Sequence, residues 1–155
     1  YCTHDCQCGA KVNALGTHSF VCKRAAGRIA RHQTINDILM RALAAADMPF
    51  TKEPDGLSLS DNKRPDGLTL LPWSGSKPLT WDVTVICPLA ESYFHISRNT
   101  SAGAAELAAT RKTDKYTSLP NTYIFQPLAF ESLGTMNKSA ISFISDLGPC
   151  DRDLK

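Results

Sequence analysis

Apolar residues recur at helical spacing along Ile35, Ile38, Leu39, Ala42, Leu43 and Ala46, the stripe of an amphipathic helix. Thr34 precedes it, and Asp37 completes a Thr-x-x-Asp capping pattern. Continued toward the N-terminus, the same stripe runs through Arg24, Arg28 and Arg31, which cannot enter a core unpaired. The helix therefore either begins near Arg31 or projects its first turns beyond the body. Both options expose the arginines.

Shorter, strand-like segments follow. Residues 50–53 predict a brief strand stopped by Pro54-Asp55-Gly56, and residues 61–64 a polar loop. Residues 66–71 predict a strand ended by Pro72, with a hairpin connection over 72–79. Residues 80–86 are rich in β-branched side chains and alternate, with Trp81, Val83 and Val85 on one face and Asp82, Thr84 and Ile86 on the other. Ser101 is the expected cap of a helix running to about Leu119 and stopped by Pro120. Residues 123–126 predict a last central strand and residues 139–147 a closing helix. The order α-β-β-β-α-β-α implies an α/β fold, a mixed sheet with helices on both faces.

On the 101–119 helix, Ala105, Ala108, Ala109, Lys112, Tyr116 and Leu119 share one face, with Lys115 at its edge. The alanines allow close approach to the sheet. A lysine inside that stripe needs an anionic partner or a wet cleft, unless it snorkels around the helix. Asp82, which interrupts an apolar strand, and Asp66, which opens the preceding one, are the nearest acids. If those strands pair as a hairpin, both carboxylates can point to one face at one end of the sheet. Two close acids repel unless a divalent cation or a lysine offsets them. Two Asp and a Lys are the minimum for metal-assisted attack of water on a phosphodiester, with Mg²⁺ or Mn²⁺ on the acids and the lysine against the developing charge. The plainer alternative is an Asp–Lys ion pair and a turn aspartate in Pro-Asp-Gly.

The chain has 155 residues, enough for one globular domain, and no apolar run reaches the ~18 residues of a membrane span. It carries 17 Lys+Arg against 15 Asp+Glu, so net charge (+2) announces no polyanion partner. Locally the balance differs: Lys23, Arg24, Arg28, Arg31 and Arg41 face a single acid, Asp37, which marks either a phosphate-contacting surface or a solvated helix face. Four of six cysteines, Cys2, Cys6, Cys8 and Cys22, lie in the first 22 residues, whereas Cys87 and Cys150 are isolated. That clustering suggests a local clip. The immediate cysteines and the absent initiator Met suggest a piece of a longer chain.

Pro65-Asp66, Asp82 sixteen residues on, and a lysine-bearing helix resemble the PD-(D/E)xK restriction-endonuclease-like pattern. The longer run Cys6-x-Cys8-Gly9, His18-x3-Cys22, Arg31-His32, Arg64-Pro65-Asp66, Asp82-Val83-Thr84-Val85 and Lys112-x2-Lys115-Tyr116 resembles the C-terminal part of non-LTR retrotransposon proteins, where a zinc knuckle and a restriction-like endonuclease follow a reverse transcriptase. The resemblance covers roughly residues 6–147. It implies a Mg²⁺- or Mn²⁺-dependent enzyme that nicks double-stranded target DNA in the nucleus to prime reverse transcription. Its partner would be the reverse transcriptase of the same polyprotein, with no membrane involved. It assigns Asp66 and Asp82 as catalytic cation ligands. Thr84 stands where the motif carries lysine, so the resemblance implies that Lys112 or Lys115 on the helix takes that role. Arg24, Arg28, Arg31 and His32, with Arg64 and Tyr116, are the candidate DNA contacts, although His32 could instead cap the helix and Tyr116 simply pack. Glu53 is either a third acid or a turn residue. A catalytically inactive nuclease fold serving in DNA binding or protein docking is the alternative, and a zinc-organised interaction domain a third reading.

Cys6, Cys8, His18 and Cys22 form a Cys₂-His-Cys set, and Gly9 permits a tight knuckle turn. Four such ligands leave no open position, which makes Zn²⁺ structural there. Cys2 or His4 could replace Cys6, and disulfides or free thiols are the competing states. The expected organisation is a CCHC zinc knuckle over residues 1–27 and a restriction-endonuclease-like domain over residues 28–150.

Overall fold

The computed structural model of the chain describes residues 2–22, 24, 26–57 and 64–148. Lys23, Cys150 and residues 61–63 of the loop expected at 61–64 lie outside the described residues.

The N-terminal segment is a two-stranded antiparallel hairpin, β1 (His4–Asp5) and β2 (Lys11–Val12), followed by the short helix α1 (His18–Val21). Its turn closes where the Gly9 N–H donates to the Cys6 carbonyl at 2.8 Å. Gly9 has φ +89°, which an L side chain would resist.

The body runs α2 (Ala26–Ala45), β3 (Phe50–Lys52), β4 (Gly67–Thr69), β5 (Leu79–Ile86), α3 (Glu91–Asn99), α4 (Gly103–Lys115), β6 (Ile124–Glu131) and α5 (Lys138–Asp146). Its sheet has the order β3-β4-β5-β6. The first three strands pair antiparallel, and β6 lies parallel to β5 after the α3–α4 crossover, so the sheet is mixed. One face packs Leu39, Met40 and Leu43 of α2 and Ala140 and Phe143 of α5 onto Leu79, Trp81, Val83 and Leu128. The other packs Ala104, Ala105, Ala108 and Ala109 of α4 onto Ile86 and Ala129. Helices thus cover both faces, and β5 alternates as its sequence pattern requires. Among the described residues no helix is long and apolar enough to cross a membrane.

Several elements depart from the sequence reading. Helix α2 takes the longer of the two expected forms and starts at Ala26, with residues 27–30 exposed; Arg31 is half-buried rather than exposed. Helix α3 was not expected. It follows Ala90, which offers no capping side chain, so the local signal for its start is limited to the acidic Glu91 in its first turn. Helix α4 begins at Gly103 and stops at Lys115, short of Leu119. Ser101 does not cap it. The chain enters through Ala102 in the left-handed region (φ +58°), and the Glu131 carboxylate accepts the Ala105 N–H at 3.1 Å, a cap supplied from β6. Strand β6 continues through Pro127 to Glu131, well past residue 126. It is an edge strand and not the central one expected, which is why proline is tolerated: there an absent N–H breaks no ladder bond.

Candidate functional site

Strand β5 carries the site. Asp66, immediately before β4, grips β5 on either side of Asp82: its N–H donates to the Trp81 carbonyl at 2.9 Å, and its Oδ2 accepts the Val83 N–H at 2.7 Å. The carboxylate thereby satisfies a β5 amide that the short β4 leaves unpaired. Gly67 makes this turn possible. A Cβ there would come within 2.1 Å of the Trp81 ring, so only glycine allows the ring to lie across the backbone.

Helix α2 supplies the other donors to Asp66. The Asn36 amide donates to Asp66 Oδ2 at 3.1 Å, while Asn36 Oδ1 accepts the Trp81 indole N–H at 3.2 Å. His32 Nε2 lies 3.2 Å from the same Oδ2 and 3.1 Å from the Val83 carbonyl. Both neighbours are acceptors, so Nε2 carries the proton. Burial pushes the Asp66 carboxyl up, but the bonds from His32, Val83 and Asn36 outweigh it and the net shift is downward. The hydrogen bond to Asp66 raises the His32 pKa against the opposing effect of burial, and the charges of Asp66 and Asp82 add to the rise. Asp82 is therefore within electrostatic reach of His32.

Asp82 itself, only 3% exposed, faces α4. Lys112 Nζ donates to its Oδ1 at 2.5 Å, and Lys115 Nζ stands 3.8 Å from Oδ2. The Tyr116 hydroxyl shares its proton between Asp82 Oδ2 (2.6 Å) and the Arg64 carbonyl (2.8 Å), and accepts from Lys115 Nζ at 3.0 Å. Tyr116 is buried and ties the strand-borne acid to the segment that leads into Asp66. The lysine stripe has thus found its anion: α4 holds Asp82 of β5, while Asp66, ahead of β4, is held by the next β5 amide and by α2.

Two depressions flank this edge. One is lined by Arg28, Ile29, His32, Thr84 and Lys112, and so runs from the first turns of α2 to α4. The other is lined by His32, Asn36, Asp37, Lys52, Glu53 and Asp66. Glu53 enters it with φ +42°, its N–H donating to the Asp66 carbonyl at 3.0 Å. His32 belongs to both. The remaining candidates lie apart: the Arg24 guanidinium donates to the Gln7 carbonyl at 2.7 Å, and Arg64 pairs with Asp55 at 3.0 Å. Arg31 Nε is buried with no hydrogen-bond partner among the described residues. Asn36 was not anticipated. Its place on α2, one turn after His32, was the only available signal.

In the N-terminal hairpin, Cys6, Cys8, His18 and Cys22 bring their ligand atoms within 4.8 Å of one another, the only such group of three or more among the described residues. Cys6 rather than Cys2 or His4 completes the set. The five described cysteines form no disulfide. Cys6 and Cys22 sulfurs stand 3.7 Å apart, near the ~3.8 Å edge of a tetrahedron with Zn–S bonds of about 2.3 Å. The Ala10 N–H, followed by bonds from Cys6, Cys22 and His18, lowers the Cys8 thiol to about 6 although burial opposes it. A thiolate of this kind suits metal ligation, and the Cys₃His set could hold zinc.

The acids also have the donor chemistry of a hard divalent ion: Asp66 lines the second cleft, and Asp82 is bonded to Lys112, which lines the first. Asp82, however, already holds an ammonium group on one oxygen and a phenol on the other. No protein-family model matches the chain, and no curated protein matches it in sequence.

Proposed function

We propose that this chain is a metal-dependent DNA endonuclease of restriction-endonuclease-like fold with an N-terminal zinc knuckle, acting in the nucleus beside the reverse transcriptase of a non-LTR retrotransposon polyprotein. The observation that carries the reading is the bonding of Asp66 to β5 at Trp81 and Val83, the residues on either side of Asp82, with Lys112 of α4 bonded to Asp82 at 2.5 Å and Arg28 lining the same cleft as Lys112.

Asp66 and Asp82 would hold the cation, Mg²⁺ or Mn²⁺. When bound, it supplies a Lewis acid for the phosphodiester and a more acidic water. His32 and Asn36 fix the Asp66 carboxylate, and Tyr116 fixes that of Asp82. Lys112, with Lys115 behind it, offers an ammonium group to charge that builds on the phosphate, the role that Thr84 cannot fill. Arg28 lies where a neighbouring phosphate of the duplex would pass. Zinc would hold the hairpin to which Arg24, just ahead of α2, is bonded through the Gln7 carbonyl.

Supercoiled plasmid incubated with the protein and Mg²⁺ is expected to be nicked. Asp82→Ala should lower the rate by about 100-fold or more, as loss of a group that stabilises the transition state does. Equal nicking by both proteins would remove the assignment.

A DNA-binding module without hydrolysis is the second reading, favoured by the complete pairing of Asp82. It predicts no nicking but binding with a steep salt slope.

A further inference from the structure

Asp82 is the most enclosed acid of the site and is already neutralised from within. Its side chain is 4% exposed, that of Lys112 23%. One oxygen receives the Lys112 ammonium at 2.5 Å; the other faces Lys115 at 3.8 Å and takes the Tyr116 proton at 2.6 Å. A divalent ion approaching this carboxylate meets two ammonium groups. A buried carboxylate left without either partner would be costly, so one cation must replace the other.

We propose that Lys112 is the internal counterion of Asp82, standing where a divalent cation binds, and that cation binding displaces its ammonium group into the cleft beside Arg28, His32 and Thr84. This rests on the reading of Asp82 as a cation ligand. The displacement is mechanically easy. Lys112 already lines that cleft, and its four-carbon stem can redirect the ammonium without moving α4. The consequence is ordered: the lysine becomes free to meet a phosphate only once the cation is in place. A site without cation offers neither Lewis acid nor free ammonium.

The test measures Mn²⁺ binding by electron paramagnetic resonance, using the full chain supplied with zinc. Lys112→Gln should bind Mn²⁺ more tightly than the wild type by up to about thirtyfold, the effect of removing one unit charge about 4 Å from a doubly charged ion at the dielectric of water. Lys115→Gln should gain less, and the double variant Asp82→Asn/Lys112→Gln should lose the gain. Unchanged affinity in Lys112→Gln, an equal gain in Lys115→Gln, or a gain that survives loss of Asp82 would each overturn the proposal. Should Lys112→Gln fold poorly, the wild type gives the answer: Mg²⁺ should raise the acylation of Lys112 by an amine-directed reagent, read by mass spectrometry. A fall or no change counts against it. Nicking by the wild type is scored separately. Tightened Mn²⁺ binding without nicking keeps the counterion and removes the nuclease; nicking with unaltered affinity does the reverse.

Discussion

His32 and Asp66 report one interaction from its two ends, because the histidine pKa rises from 6.5 and the aspartate pKa falls from 3.8. A raised histidine stabilises the fold fully below its unfolded value and loses that contribution as pH climbs through the folded one. A lowered carboxyl contributes above its unfolded value and loses it as pH falls through the folded one. The charged pair is therefore most stabilising between about pH 4 and 6.5 and fades at higher pH. The difference in melting temperature between the wild type and His32→Gln should be largest near about pH 5.5 and shrink by about pH 8.5. A difference that stays constant over this range would mean that geometry, not charge, holds the histidine. Asn36 beside it has no such titration. Its burial, with one end on Trp81 and the other on Asp66, makes it a fixed strut between core and site.

Helix α4 shows how an element delivers a side chain. Gly103, Ala104, Ala105, Ala108 and Ala109 are all buried, so the helix backbone lies close to the sheet. That closeness lets Lys112 and Tyr116, one and two turns further on, reach Asp82 from above β5. Ala108→Leu forces three extra carbons into the contact and should cost about 1–3 kcal/mol by overpacking. Chemical denaturation reads the loss; unchanged stability would mean that the helix is not held by close approach. The stripe was visible in the sequence because it is a local property of a 3.6-residue period. The start of the helix was not, since the cap at Glu131 comes from a strand 26 residues away. The same applies to α5, whose first N–H, that of Lys138, is accepted by Glu106 of α4 at 2.6 Å.

At the scale of the molecule, the N-terminal hairpin and the body have separate cores. None of the residues packed around Trp81 or around Ala129 comes from residues 2–22. Their described bridge is the Arg24–Gln7 bond, and Gln7 sits between two of the sulfur ligands. If zinc fills the Cys₃His set, supplying it and then removing it with a chelator should abolish amide-exchange protection across residues 4–22 while the β5–β6 ladder keeps its own. Collapse of protection throughout would show one cooperative unit instead.

By itself the sequence determined what rests on short-range pattern. The Cys₃His spacing, the alternating faces of β5, the alanine stripe and the demand of Lys112 for an anion all follow from periods of two and 3.6 residues and from the cost of burying charge. Only the tertiary structure decided which groups share each acid. Asn36, His32 and Tyr116 meet Asp66 or Asp82 across 30 or more residues, by the phase in which each helix settles on the sheet. That phase is set by the packing of Leu39, Leu43 and the alanines, a global fit that no local window contains.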